Sequence, residues 1–317
     1  MLKKIICIML LMTVLIIPQT GCGEKEPVSR NSFHFNTYCT ITIYDEMDEN
    51  TASGIIFGAF QVCSQLEEKI SKTTEGSDIW RINHAGGEPV AVSDETLEIL
   101  KKALHYCELS GGCFDITVGR LTALWDFAEE RKVPSAEDLK AACETVNYKN
   151  IVIDGNTVVL TNPDAEIDLG GIGKGCGADA AASYLKEQGI ERAIIDLGGN
   201  VVVLGEKAPG TPWTVGIEKP FSDRKEIVGT LEAADQTVVT SGTYQRYFEE
   251  EGILYHHILD IKTGMPADPG LASVSIIGPL GTSGDCDALS TICFLLGEEA
   301  GQALIDSLDG FEAVFVK

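Results

Sequence analysis

The chain reads as an α+β protein, a single domain of mixed, largely antiparallel β-sheet with packed helices, preceded by an N-terminal signal peptide. Three observations predict this. Helical apolar spacing clusters in the first half, and short β runs dominate from Ile151 onward. Only two helices interrupt those runs, so the regular alternation of a parallel α/β sheet is missing. No linker divides residues 33–317, which sets one domain of that extent after a signal segment at 1–21 and a tether at 22–32.

The segment Met1-Leu2-Lys3-Lys4, an apolar run from Ile5 to Ile17 and then Pro18-Gln19-Thr20-Gly21-Cys22 form a charged n-region, an h-region and a small-residue cleavage site. A spanning helix needs ~20 apolar residues, and this run is shorter and broken by Pro18. Gly21-Cys22 resembles the bacterial lipobox, with Gln19 in the place of the usual aliphatic residue. It implies a diacylglycerol on Cys22 and a polar tether after it, so the expected location is exported, anchored to the cell membrane on the extracytoplasmic face. Plain secretion is the alternative.

Beyond the tether, Cys39 to Tyr44 alternates polar and apolar as a half-buried strand does. Residues 51–70 follow with helical spacing through Ile56, Phe60, Cys63, Leu66 and Ile70. A second helix is predicted from Asp94 to Ser110, stopped by Gly111-Gly112. A third starts from Ser135, with Asp138 in capping-box position. Strands are then predicted at 151–153, 157–161, 193–197, 201–204, 213–217 and 271–277, with helices at about 175–188 and 285–296.

The chain carries 24 Lys+Arg against 48 Asp+Glu, a net charge of −24. That field repels phosphate backbones, which argues against nucleic acid as a partner. An anionic small ligand would need a local device, a divalent cation or a set of backbone amides. The ten cysteines show neither CxxC nor His-Cys ligand spacing, so most are expected to be small buried hydrophobes and not a zinc site.

Two echoes, Asp168-Leu-Gly-Gly171 and Asp196-Leu-Gly-Gly199, each read as the end of an apolar strand where the backbone turns tightly or approaches something closely. The first runs on through Ile172-Gly-Lys-Gly175 into a helix, so free amides and a positive helix end can face an anion. It is not a Walker loop, because Asp168 replaces the first glycine and Gly175 the hydroxyl residue after Lys174. Gly173-x-Gly175-x-x-Ala178 does fit the dinucleotide fingerprint, with Asp196 at a suitable distance. Against that, Gly198-Gly199-Asn200 turns the chain straight back as a hairpin where a crossover helix is required.

Near the C-terminus, Thr240 to Phe248 and Tyr255 to Pro266 gather hydroxyls, Arg246, His256, His257 and Asp260 around a turn. On a strand, the histidine pair places one ring on each face, so that one packs while the other faces a site and exchanges protons or meets phosphate. Asp287 and Thr291, at i and i+4, share a helix face, and such a sparse oxygen pair suits Mg²⁺ better than calcium or zinc. Asp285, taken alone, reads as an ordinary helix cap.

Together these segments resemble the ApbE family, the FAD:protein FMN transferases, over residues 33–317. Gly112-Cys-Phe-Asp-Ile-Thr-Val-Gly119 looks like the family's G-x-F-D-x-T segment, and Asp168 to Asp179 like its D-L-G-G-I-G-K-G-x-A-x-D loop. The His256-His257-Ile-Leu-Asp260 and Asp287-Ala-Leu-Ser-Thr291 segments complete the set in order. The resemblance implies that Cys113, Phe114 and Asp115 line a flavin pocket and that Asp168, Lys174 and Ile258 also touch FAD. It implies Mg²⁺ between Asp287, Thr291 and the Gly171 carbonyl, His257 as the proton-handling or phosphate-contacting residue, and Arg246 as a neutraliser of phosphate. The implied reaction moves FMN from FAD to a threonine in a flavinylation motif of an acceptor flavoprotein and releases AMP. Two departures stand out, Phe35-Asn36-Thr37 in place of Met-Gly-Thr and Gly284 where some members carry a metal-site acid. An FAD-binding carrier lipoprotein, a metal-dependent FAD pyrophosphatase and a nicotinamide dehydrogenase are the rival readings.

Overall fold

The computed structural model of the chain describes residues 26–127, 131–222 and 226–317. The expected signal segment, the Cys22 anchor and residues 23–25 of the tether lie outside them. In chain order the elements begin with β1 (Val28–His34), β2 (Thr37–Ile43), α1 (Glu49–Ile70), α2 (Asp78–Asn83), β3 (Val90–Ala91), α3 (Asp94–Leu109), α4 (Gly119–Trp125) and α5 (Ala136–Cys143). They continue with β4 (Ile151–Asp154), β5 (Thr157–Leu160), α6 (Gly173–Glu187), β6 (Ala193–Leu197), β7 (Asn200–Leu204), β8 (Trp213–Glu218) and β9 (Ile227–Ala233). The last are β10 (Gln236–Gly242), β11 (Tyr247–Glu250), β12 (Ile253–His256), β13 (Ser273–Pro279), α7 (Ser283–Leu296), α8 (Glu298–Asp306) and β14 (Glu312–Val316).

The frame is a seven-stranded sheet in the order β1-β2-β6-β7-β10-β13-β14, antiparallel at every step. The α+β reading therefore holds, and the dinucleotide fold, which needs parallel crossovers, does not form. β6 and β7 make the hairpin expected at Gly198-Gly199, where φ is +63° and +98°, values that favour glycine.

Strand alternation places Cys39, Ile41, Ile43, Ile195, Leu197, Val202 and Leu204 on one face, packed with Ile56, Phe60 and Cys63 of α1 and Ala178, Ala181 and Leu185 of α6. Full burial of an Ile or Phe side chain stabilises by ~1.5–3 kcal/mol, so this layer fixes both helices on the sheet. α1 starts where Asp48 accepts the Thr51 amide, and α3 starts where Ser93 accepts that of Thr96. α7 joins a larger cluster with α3, β13 and Ile258. On the opposite face, the separate β8–β9 hairpin covers Val203 and Val238 with Trp213 and Ile217.

The expected extent of the tether is corrected. Residues 28–32, expected as tether, are the first part of β1, whose register runs from Val28↔Ile43 to His34↔Thr37. Its polar sequence, Val-Ser-Arg-Asn-Ser, suits an edge strand with alternate residues in water, and polarity hides it from pattern reading. Phe35 and Asn36 turn the hairpin with φ +50° and +55°, the signs of a type I′ turn. Asn tolerates this conformation, which explains how it stands in the place of the family's glycine.

Candidate active site

The loop before α6 is irregular where a strand was expected: around Ile167 there is only an isolated parallel bridge, Val118↔Glu166. Asp168 organises the loop instead. Its Oδ1 accepts the Gly170 amide at 2.8 Å, while Oδ2 takes the Thr122 hydroxyl at 2.7 Å and the Lys72 ammonium at 2.9 Å. Burial pushes this carboxyl up, but Lys72, Thr122 and the amide outweigh it and hold Asp168 below the ordinary range. Asp168 is thus an anion that pins the loop to α4 and to the residues after α1. Neither Lys72 nor Thr122 stands in a recognisable motif.

From this loop α6 runs into the start of α7. Gly175 must lack a side chain, because a Cβ there would lie 2.2 Å from the Ser283 carbonyl oxygen. Asp287, 2% exposed, reaches back across the junction. Its Oδ2 accepts the Gly175 amide at 2.9 Å and its Oδ1 lies 3.3 Å from the Lys174 ammonium. Thr291 sits one turn on, its hydroxyl 3.2 Å from that of Ser241, which also bonds Ser290 at 2.7 Å. Asp285 is not the helix cap expected. The cap position is Thr282 without a side-chain bond, and Asp285 instead binds the Lys102 ammonium at 2.6 Å and the Tyr106 hydroxyl at 2.9 Å. Gly284 has no room for an acidic side chain, since a Cβ would lie 2.8 Å from the Cys176 sulfur.

The histidine pair divides as expected. His256 is buried against Phe294, and its Nε2–H donates to the Ala267 carbonyl at 3.0 Å while Nδ1 accepts the Ile258 amide at 3.3 Å. Both ring nitrogens are committed. His257 lies 3.3 Å through Nδ1 from the Arg246 carbonyl. A carbonyl only accepts, so Nδ1 carries the proton and Nε2 keeps its lone pair. Burial, with the charges of Arg246 and Lys174, pulls the His257 pKa down to about 3. At neutral pH it is an uncharged imidazole, suited to taking a proton and not to pairing with phosphate as a cation.

Asp115 is 6% exposed, and its carboxylate accepts the Thr117 amide and hydroxyl and the Tyr148 amide at 2.8, 2.6 and 2.7 Å. Those bonds hold the segment that presents Cys113 and Phe114. Burial pushes the Cys113 thiol up, which leaves it without thiolate character at neutral pH. All eight described cysteines are free, and most are buried as expected.

One cavity of about 1130 Å³ receives every predicted ligand residue within the described segments: Cys113, Phe114, Asp115, Asp168, Gly171, Lys174, Arg246, His257, Ile258, Asp287 and Thr291. Small-molecule sites usually span ~300–1,000 Å³, so this one accommodates a dinucleotide-sized ligand. It is also lined by residues that sequence reading did not single out, including Lys72, Thr122 and Arg131, and by Ser241 and Tyr244 of the hydroxyl-rich segment. The donors fit a hard cation. Asp287, Thr291 and Gly171 offer oxygens to the same cavity, and a positive group, the Lys174 ammonium, already stands beside Asp287. Among the described residues no group of three or more His, Cys, Asp or Glu is placed to hold a metal, so a cation here depends on the hydroxyl and carbonyl and on ligand or solvent oxygens.

The ApbE family model matches residues 35–315. An FAD:protein FMN transferase of Klebsiella pneumoniae is 38% identical over 273 residues, which are 85% of this chain and 83% of that protein. One of Treponema pallidum is 33% identical over 316 residues, covering 93% and 87%. Among solved structures, the ApbE protein of Thermotoga maritima superposes with a TM-score of 0.82 at 33% identity, covering 92% of this chain and 94% of that one. The flavin transferase ApbE of Vibrio cholerae does so with a TM-score of 0.78 at 30% identity, covering 92% and 97%.

Proposed function

The chain belongs to the ApbE family, and from that premise we propose that it moves FMN from FAD onto a threonine hydroxyl of an acceptor flavoprotein, releasing AMP. It is an FAD:protein FMN transferase, as its curated relatives are. The observation that carries the site assignment is the convergence of eleven residues from separate stretches of chain on one cavity. Gly171, Asp287 and Thr291 are the residues that would hold Mg²⁺, which when bound offsets the charge of the FAD pyrophosphate.

The chain's own groups divide the remaining work. His257 Nε2 takes the proton of the acceptor hydroxyl as its oxygen bonds to the FMN-side phosphorus. The bond from that phosphorus to the AMP-side oxygen breaks, and AMP leaves with the electron pair. Lys174 and Arg246 place positive charge along the cavity wall, a local answer to the repulsive field of a chain with net charge −24. Phe114 and Ile258 give an apolar surface for the isoalloxazine. Export and anchoring through Cys22 belong to the same reading and are supported by the lipobox-like Gly21-Cys22, which would hold the catalyst on the extracytoplasmic face.

The test is to incubate the chain lacking residues 1–22 with FAD, Mg²⁺ and a protein carrying a threonine flavinylation motif, then read the added FMN by mass spectrometry. The expected result is a magnesium-dependent adduct that disappears in Asp287→Ala. AMP release without adduct would convert the reading to FAD hydrolysis, and FAD binding with neither would leave a carrier.

A further inference from the structure

α6 and α7 share a defect, and each repairs the other. Neither helix has a side-chain bond from its own cap residue, Ile172 for α6 and Thr282 for α7. Uncapped first-turn amides are costly when buried, and this junction is buried. Asp287 of α7 accepts the Gly175 amide of α6 at 2.9 Å. Asp179 of α6 accepts the Ser283 and Gly284 amides of α7, each at 2.9 Å. The spacing is the same on both sides: Gly175 and Asp179 stand at i and i+4, and so do Ser283 and Asp287, so donor and acid lie on one face of each helix. The two helices are clamped head to head by crossed carboxylates.

One carboxylate of that clamp, Asp287, faces the cavity, whereas Asp179 is absent from the cavity wall. Asp179 is set apart in sequence from α7 by about a hundred residues, yet it fixes where α7 begins. The positions of Asp287 and Thr291 follow from that start. Resting on the metal assignment above, we propose that Asp179 is a positioning residue for the cation site: it never touches the ion or FAD, but sets the registry of the helix that carries Asp287 and Thr291. Lys102 supports the arrangement from α3 by binding Asp285 beside it. A carboxylate is required, because an asparagine offers one acceptor oxygen and turns an N–H₂ toward the second amide.

Mn²⁺ binding to the purified full chain, followed by EPR without FAD, is the direct readout. Asp179→Asn is expected to weaken Mn²⁺ binding at least about tenfold, the usual scale for groups that orient metal ligands. The matched control is Asp45→Asn, since Asp45 likewise accepts two successive amides, those of Glu191 and Arg192, but remote from the cavity. Its Mn²⁺ affinity is expected within about twofold of the parent. Equal weakening in both variants, or parental affinity in a folded Asp179→Asn, overturns the proposal.

Should Asp179→Asn not fold, the parent itself decides. Coupling is reciprocal, so a site positioned by the Asp179 bonds must tighten those bonds when filled. Saturating Mg²⁺ is expected to slow hydrogen exchange of the Ser283 and Gly284 amides and leave that of Thr51, capped by Asp48 on α1, unchanged. Unchanged exchange at Ser283 and Gly284 overturns it. Asp287→Asn, run alongside, separates the two claims: parental Mn²⁺ binding in that variant means that the metal assignment has failed and the coupling with it.

Discussion

Two glycines mark the difference between the floor of the cavity and its lip. At the floor, a methyl group on Gly175 would lie 2.2 Å from the Ser283 carbonyl, whereas on β9 at the lip one on Gly229 would meet nothing within 4 Å. The floor is made of helix starts locked by buried carboxylates, with Asp287 2% exposed. The lip is a two-stranded hairpin with Phe221, Ile227 and Val228 49%, 58% and 49% exposed. Groups that must hold charge at a fixed position stand on close-packed elements, where reorganisation is costly. The lip carries none of the predicted ligand residues.

If the floor is electrostatically locked, removing the charge that faces Asp287 should have the largest effect on stability. Lys174→Met leaves a buried carboxylate with a single amide, and such uncompensated charges cost ~3–5 kcal/mol. Thermal unfolding without metal is expected to show that loss, with a larger rise in Tm on adding Mg²⁺ than in the parent. An unchanged Tm would mean that the pair is not the lock. Next comes the steric part: Gly175→Ala is expected to cost ~1–3 kcal/mol, the scale of overpacking, read as a lowered midpoint in denaturant.

A third effect separates the two regions by pH. His257 titrates at about 3 in the fold and at ~6.5 when unfolded. Between these values the unfolded chain binds a proton that the folded one refuses, so stability falls as pH drops through that window. The slope from one such group is ~1.4 kcal/mol per pH unit. His257→Gln should remove that share of the acid sensitivity, while variants at the lip should leave it intact. Acid unfolding curves of equal slope in parent and His257→Gln would refute the depressed pKa.

How much was legible in the sequence follows the same division. The 3.6-residue stripe of α3, its Gly111-Gly112 stop and the Asp287–Thr291 pair are local patterns, and local patterns survive in one dimension. The Gly198-Gly199 hairpin was readable for the same reason. Lys72 was not, and neither was the partner of Asp179, although Asp179 itself closes the loop motif. Lys72 meets Asp168 from just beyond the end of α1, and Asp179 meets α7 across 104 residues, so neither contact leaves a spacing signal. β1 and β9 escaped through composition. One is polar as an edge strand, and the other is exposed along most of its length, so neither shows the alternation that marks a half-buried strand.

The smallest effect completes the contrast because its sign should reverse. Gly229 lies within β9 with open space around it and no positive φ to demand glycine. Glycine inside a strand costs ~0.5–1 kcal/mol relative to alanine, through the backbone entropy that it loses on folding. Gly229→Ala should therefore raise the denaturation midpoint by up to that amount, where the same change at Gly175 lowers it. Both substitutions add one methyl group to a glycine of the same domain. Opposite signs would show that packing at the α6–α7 junction, and not the chemistry of the replacement, constrains the floor; a loss at Gly229 as large as at Gly175 would show that the lip is held as tightly, and the comparison would fall.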